Sequence, residues 1–145
     1  IKKGFSMKIL LVEDDTMIAS GLRKMLAGEP TEFTPGMQRW EYLFSADAGR
    51  AFYLIGEKGR DGAVYCVGSG QPALLRDYIQ KMAELTDYRN PGIGARPYPK
   101  GAVMNLCADI DSLYQDTGFV PEYTFEQGIR ETIAWLKSQS TGDKK

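Results

Sequence analysis

Residues 36–52 read GMQRWEYLFSADAGRAF, and the periodicity of the sequence changes inside this stretch. Pro35 and Gly36 signal a turn, and the mostly apolar residues 41–44 predict a short strand. Ser45 then begins a predicted helix. One face of that helix is apolar and carries Ala48, Ala51, Phe52 and Ile55. A strand followed at once by a helix is the unit from which α/β folds are built.

The same alternation continues on both sides of this stretch. Further strands are predicted at 7–12, 31–34, 63–67 and 103–107. Further helices are predicted at 17–26, 74–85, 108–116 and from Thr124 onward, where Thr124 and Gln127 form a capping box. Residues 87–100 are rich in Pro, Gly, Asn and Arg and predict a long irregular loop. The expected fold is α/β, with a small mixed sheet flanked by helices.

Composition narrows the classes of function. The chain has 145 residues, with 18 basic and 19 acidic side chains and a net charge of -1, and no basic cluster stands out. Nucleic acid and anionic membranes are therefore not expected as partners. No apolar run approaches the roughly 20 residues of a membrane span, and no secretion signal is recognisable, so a cytoplasmic location is expected.

Cysteine and histidine usage excludes further chemistry. Cys66 and Cys107 are each flanked by apolar residues, which predicts two buried, reduced thiols. The chain has no CxxC motif and no histidine. A zinc site of the Cys/His type and a mechanism with an imidazole base are therefore not expected.

Four segments, in order, resemble the extended short-chain dehydrogenase/reductases that act on nucleotide sugars. They are residues 36–52; VYCVGSG at 64–70 with LRDYI at 75–79; PY at 97–98 with MNLCADI at 104–110; and DTGFVP at 116–121 with FEQGI at 125–129. The resemblance implies a partial Rossmann-like fold, the C-terminal part of such an enzyme, in which these segments line the nucleotide-sugar pocket. The expected ligand is a nucleotide-diphosphate sugar.

The resemblance suggests roles for several side chains. Gly68, Ser69 and Gly70, as the end of a strand that opens a helix, would offer backbone N–H groups to a phosphate; the alternative is a tight turn that needs glycine. Arg39, Arg76 and Arg96 would each donate paired hydrogen bonds to a diphosphate. The alternative is that they are solvated surface arginines. Trp40 and Tyr42 would stack on base or sugar, unless they pack in the core.

The loop at residues 97–100 departs from the family. The family often has PYR in the loop that reaches the diphosphate, whereas this chain has Pro97, Tyr98, Pro99 and Lys100. The arginine is displaced, so Arg96 or Lys100 would have to replace it beside Tyr98.

The parts of the family that do the chemistry are not found in this sequence. A TGxxGxxG turn, which holds the cofactor pyrophosphate, and a YxxxK pair, which supplies the acid/base, are both missing. The parent family uses NAD(P). This chain alone is expected to bind no cofactor or metal, to carry no catalytic residue and to transfer no hydride.

The first residues resemble another family. MKILLVEDD at 7–15 is similar to the first strand and acidic turn of response-regulator receiver domains, in which such acids help to bind magnesium. The alternative is that Glu13, Asp14 and Asp15 only cap a helix. The sequence thus predicts a receiver-like leader at 1–15, a substrate-binding domain at 16–137 and a frayed tail at 138–145. The joint between the two resemblances falls within 16–26 and suggests a chimera.

Three hypotheses for function remain. The first is a substrate-binding fragment of a nucleotide-sugar epimerase, dehydratase or reductase. The second is a structural module that self-associates, or binds a partner chain, through the surface that the missing half would cover, formed by the helix at Ser45 and by residues 63–67. The third is a phospho-receiver, whose phosphoacceptor strand, switch threonine and lysine have no counterparts here; we expect it to fail.

Overall fold

The computed structural model describes residues 16–142, and the side chains of residues 18–139. The predicted strand at 7–12 and the acids Glu13, Asp14 and Asp15 lie outside this part. The elements in order are α1 (Thr16–Ala27), β1 (Arg39–Trp40), α2 (Ser45–Lys58), β2 (Ala73–Leu74), α3 (Leu75–Leu85), α4 (Asp111–Thr117) and α5 (Phe125–Gly142). No helix between residues 16 and 142 has both the length and the hydropathy needed to cross a bilayer.

The sheet is small and mixed, as predicted. β1 pairs antiparallel with β2, with Arg39 opposite Leu74. On its other side, Arg39 N–H donates to the Met104 carbonyl at 2.7 Å and the Arg39 carbonyl accepts from Leu106 N–H at 2.8 Å, which is a parallel bridge. β1 therefore lies in the middle, and three distant parts of the chain meet at Arg39. The α/β class is confirmed.

The main core lies between α1, α3 and α5. Each helix presents apolar side chains at helical spacing, and these side chains form one buried cluster: Ile18, Leu22 and Met25 from α1, Leu75, Ile79 and Met82 from α3, and Ile129 and Ile133 from α5. Burial of each large aliphatic side chain contributes about 1.5–3 kcal/mol. This cluster fixes α3, on which β2 and the candidate site depend.

A second cluster covers α2. Ala51 is fully buried against Leu113 of α4 and Phe119, and Ile55 packs on the same group. The sequence predicted that the Ala48, Ala51, Phe52 and Ile55 face would be left open. That prediction is wrong for Ala51, because α4 returns across α2 and covers it.

All five predicted helices are confirmed, whereas the strands predicted within residues 16–142 are mostly wrong. The stretches 31–34 and 103–107 each make one bridge, at Phe33 and at Asn105, and the strand expected at 41–44 lies at Arg39–Trp40. Residues 63–67 alternate in exposure as a strand does, and Val64 is 88% exposed. A strand is defined by its partner, and no described segment pairs with 63–67.

The last helix is longer than predicted. Its capping box is confirmed, because Thr124 N–H donates to Gln127 Oε1 at 2.8 Å and Gln127 N–H to Thr124 Oγ1 at 3.2 Å. α5 then continues to Gly142, through residues expected to fray. Ser138 Oγ donates to the Trp135 carbonyl at 2.7 Å, which satisfies the hydroxyl within the helix.

Both cysteines are exposed free thiols, which corrects the prediction of buried ones. Cys66 alternates outward on the unpaired stretch 63–67, and Cys107 follows the segment that bridges to Arg39. Apolar neighbours in sequence do not bury a side chain when no other part of the structure packs over it.

Asp47 anchors α2 to the segment before α5. Its carboxylate is 1% exposed and accepts hydrogen bonds from Glu122 N–H at 3.0 Å, Tyr123 N–H at 2.9 Å and Arg50 Nη2 at 3.1 Å. Burial alone would raise the pKa of Asp47, but the two backbone donors and Arg50 outweigh it and hold the pKa below its ordinary value. The carboxylate therefore favours folding in its charged form.

Asp47→Asn should lower the free energy of unfolding at pH 7 by about 2 kcal/mol, because it removes charge-assisted bonds to buried donors. A group whose pKa is depressed by folding stabilises above its unfolded pKa and loses that contribution as pH falls through the folded pKa. The difference between wild type and variant in urea titrations should therefore shrink below about pH 4. Asp61→Asn, at an exposed position, is the matched control, and an equal loss in both variants would contradict the anchor.

Candidate functional site

Residues 31–37 form one side of the candidate site, and the loop 91–98 lies along them. Thr31 Oγ1 donates to the Pro91 carbonyl at 3.0 Å, Phe33 N–H to the Gly92 carbonyl at 3.0 Å, and Arg96 N–H to the Phe33 carbonyl at 3.0 Å. Farther along, Met37 N–H donates to the Tyr98 hydroxyl at 2.9 Å. We call residues 31–37 with 91–98 the paired loop.

A cavity of about 390 Å³ opens between α1 and the paired loop. Its lining includes Lys24 from α1, Arg96 from the loop, and Phe33. A Cβ on Gly21 would lie 2.6 Å from the Phe33 ring, so only glycine lets α1 approach this closely. The cavity is thus lined by two cations and one carboxylate, that of Glu32, with an aromatic ring in its wall.

Arg96 is the predicted site residue that the fold brings to this cavity. Its Nε lies 3.2 Å from a Glu32 carboxylate oxygen, with the two side chains 64% and 57% exposed. So exposed an ion pair is worth between 0 and about 1 kcal/mol. Arg96 can therefore exchange Glu32 for an anionic ligand at little cost.

Arg76 and Tyr98 meet at the far end of the paired loop. Arg76 N–H donates to the Gly36 carbonyl at 2.9 Å, and its Nη1 lies 3.8 Å from the Met37 sulfur. Tyr98 accepts from the backbone of the same Met37. Gly36 has φ of 71°, and a Cβ there would lie 2.7 Å from Arg76 N, so the turn requires glycine.

The remaining predicted cations lie apart from this arrangement. Arg39 is exposed, and its Nη2 donates to the Pro72 carbonyl at 2.9 Å, beside β2. Lys100 is exposed in the turn that Ala102 N–H closes onto the Pro99 carbonyl. Arg96 and Lys100 are the two candidates to replace the displaced arginine. The fold places Arg96 in the paired loop and Lys100 outside it.

Trp40 and Tyr42 belong to the core. The Trp40 indole donates to the Val103 carbonyl at 2.9 Å. The Tyr42 ring meets Tyr78 edge-on at 4.9 Å and Phe125 at 5.8 Å. Both side chains pack against the main core cluster, which is the alternative that the sequence left open.

The Gly68–Ser69–Gly70 turn is not the expected strand-to-helix turn. No part of the chain that the structure describes pairs with residues 63–67, and α3 begins at Leu75, five residues beyond Gly70. The Glu41 carboxylate accepts from Ser69 Oγ at 3.0 Å and from Gly70 N–H at 2.6 Å. The donors expected to face a phosphate therefore face a carboxylate of the protein.

The geometry provides a place for an anionic ligand beside an aromatic ring. Among the residues with described side chains, no three or more Cys, Asp or Glu side chains come together as a metal site. Sequence reasoning missed Lys24, which reaches the cavity only because α1 packs on Phe33, and Glu41, whose acid is visible in the motif at 36–52. It also missed Asp47, which the motif contains.

Comparison with known proteins agrees with this fold. No family model matches the chain. It is 29% identical over 137 residues to a dTDP-glucose 4,6-dehydratase of Xanthomonas campestris pv. campestris, an alignment with 88% of this chain and 39% of that protein. A dTDP-glucose 4,6-dehydratase of Haemophilus influenzae is 24% identical over 142 residues, with 88% of this chain and 41% of that protein.

Solved structures give the same picture. UDP-glucose 4-epimerase of Thermotoga maritima, solved with UDP-glucose, superimposes with a TM-score of 0.76 at 26% identity, over 84% of this chain and 39% of that one. MoeE5, solved with UDP-glucuronic acid and NAD, gives 0.75 at 27% identity, over 86% and 42%. The chain spans about two fifths of the length of these relatives. Its homologues are nucleotide-sugar dehydratases and epimerases, and it has the fold of the corresponding part of them.

Proposed function

We propose that this chain is the C-terminal, substrate-binding part of a nucleotide-sugar epimerase, dehydratase or reductase, and that it binds a nucleotide-diphosphate sugar along the paired loop. The observation that carries the proposal is the cavity between α1 and this loop, with Lys24 and Arg96 at its edge and Phe33 in its wall. Relatives solved with UDP-glucose or UDP-glucuronic acid support the ligand class.

Different side chains of the site would contact different parts of the ligand. Arg96 and Lys24 would neutralise the diphosphate, since a guanidinium can donate two parallel hydrogen bonds to phosphate oxygens and an ammonium acts as a point charge. Arg76 and Tyr98, at the other end of the paired loop, would contact the far part of the ligand. Arg39, Trp40 and Tyr42 would support the site from β1 and the core, and Lys100 would lie at its rim.

The proposal assigns binding to this chain and no turnover. The motifs for cofactor pyrophosphate and for the acid/base pair are missing from the 145 residues. NAD and a complete catalytic centre would then come from a separate Rossmann-type polypeptide or from further sequence of the same protein. Hydride transfer by the 145 residues alone would count against this assignment.

Titration of the chain with CDP-, UDP- and dTDP-sugars by NMR or thermal shift tests the proposal. At least one should bind, and Arg96→Gln should weaken it about tenfold, because a hydrogen bond to a charged group is worth about 1.5–3 kcal/mol. Arg130→Gln removes the same charge from α5, where the arginine pairs with Glu126, and should leave the affinity unchanged. No response to any of the sugars, or equal losses in both variants, would refute the site.

A second proposal is self-association through residues 63–67. Val64 is 88% exposed on a stretch whose side chains alternate in exposure and that no described segment pairs, and such a stretch can pair with another strand. The covered Ala51 leaves α2 out of this surface.

Light scattering at micromolar concentration should show a dimer or larger species, which Val64→Lys should shift toward monomer because a lysine on the edge opposes strand pairing. Glu57→Lys, at an exposed position of α2, adds a lysine away from residues 63–67 and should change nothing. A clean monomer of the wild type would end this proposal.

A further inference from the structure

We infer that Glu41 is a positioning residue: its carboxylate acts as a built-in anion that closes the 68–70 turn and holds the segment 104–108 against β1. The inference concerns how the site is assembled, and in its effect on ligand affinity it rests on the proposed function. Glu41 follows β1 directly and is half-buried. It connects β1, the 68–70 turn and the segment 104–108, which no helix links to one another.

Four donors converge on this carboxylate. Ser69 Oγ donates at 3.0 Å, Gly70 N–H at 2.6 Å and Ala108 N–H at 2.5 Å, and the Cys107 thiol lies 3.9 Å away. Backbone N–H groups that converge in this way make a site for an anion. Here a side chain of the protein fills the site, so the turn is complete without a ligand.

The bond to Ala108 continues the parallel ladder of β1. Arg39 bonds to Met104 and Leu106, so the next N–H of the ladder is that of Ala108, which would face the Glu41 backbone carbonyl. It donates instead to the Glu41 side chain. The Glu41 carboxylate thus takes the place of the Glu41 backbone carbonyl in the ladder. A side chain in this position can bind the 68–70 turn as well.

The close approach of the turn requires Gly68. A Cβ at this position would lie 2.6 Å from the Ala108 Cβ and would also collide with the Glu41 carboxylate. Gly68 thus leaves room for the Glu41 carboxylate, and the glycines of this turn allow that carboxylate to bind. A role for them in holding a ligand phosphate would require Glu41 to leave first.

The same network leads to the candidate site. The segment that Glu41 holds follows Tyr98 by six residues, and the Trp40 indole binds the chain between them, at Val103. If the segment 104–108 loosens, the loop loses its fixed end, and Tyr98 loses its position beside Met37. Glu41 therefore acts on the ligand through Tyr98, without touching the ligand.

The Cys107 thiol reports on Glu41 without any nucleotide. Partial desolvation of the sulfur first, and then the adjacent Glu41 carboxylate, raise the pKa of Cys107, although the residue as a whole is exposed. Alkylation by iodoacetamide follows the thiolate fraction, so in a Cys66→Ser background the rate measures this environment. Glu41→Gln should raise the rate near neutral pH about fivefold, and Glu41→Ala more, while Glu57→Gln on α2 should leave it unchanged.

Rescue by a small carboxylate separates positioning from a general loss of stability. Added formate should slow Cys107 alkylation in Glu41→Ala, because it can occupy the empty donor ring, and should have no such effect on wild type. Where a nucleotide sugar binds the wild type, Glu41→Ala should weaken it about tenfold, and formate should restore the affinity. Glu41→Gln keeps the shape of the side chain and serves if Glu41→Ala does not fold.

Two results would overturn the inference. One is a Cys107 alkylation rate that is the same in wild type and in both Glu41 variants. The other is tighter binding of inorganic phosphate by Glu41→Ala with no loss of sugar affinity, which would show that the turn serves the ligand. If the wild type binds no nucleotide sugar but the alkylation and formate results hold, the proposed function fails and the role of Glu41 stands.

Discussion

The structure depends on hydrogen bonding to one non-helical stretch, residues 31–41, which lies between α1 and α2. A backbone outside helices must find partners for its polar groups elsewhere, and buried N–H and C=O groups without partners are costly. Here the partners come from loop 91–98, from β2 and α3, and from residues 104–106. The helices supply the apolar core, but this stretch determines where the loops lie and hence where a ligand can bind.

Two carboxylates within the motif at 36–52, Glu41 and Asp47, complete this arrangement. Asp47 is nearly fully buried and binds the backbone at residues 122 and 123, so it joins α2 to the approach to α5. Glu41 is half-buried and binds the backbone at residues 70 and 108. A carboxylate can accept several N–H donors at once, which makes it suited to places where segments from different parts of the chain converge.

The hydrogen bonds to Glu41 also change the role of the glycine-rich turn at 68–70. A strand that ends in Gly-Ser-Gly and opens a helix would face its N–H groups toward a phosphate. In this chain the helix begins only at Leu75, and the turn is closed on Glu41. The exposed cations Lys24 and Arg96 lie elsewhere, beside the cavity. Which donors of this turn remain open thus depends on the hydrogen bonds made within the protein.

The sequence by itself determined the α/β class, the positions of the helices and the capping box at Thr124, because helical periodicity and capping are local properties of the chain. It also determined the likeness to nucleotide-sugar enzymes, which lies in motifs. Only the tertiary structure decided which extended stretches pair, that Tyr42 and Trp40 pack in the core, that Cys66 and Cys107 are exposed, and that Arg96 reaches the cavity while Lys100 does not. The physical reason is that strand pairing, burial and side-chain partners are set by residues distant in sequence, as when Ala108 reaches Glu41 across 67 residues.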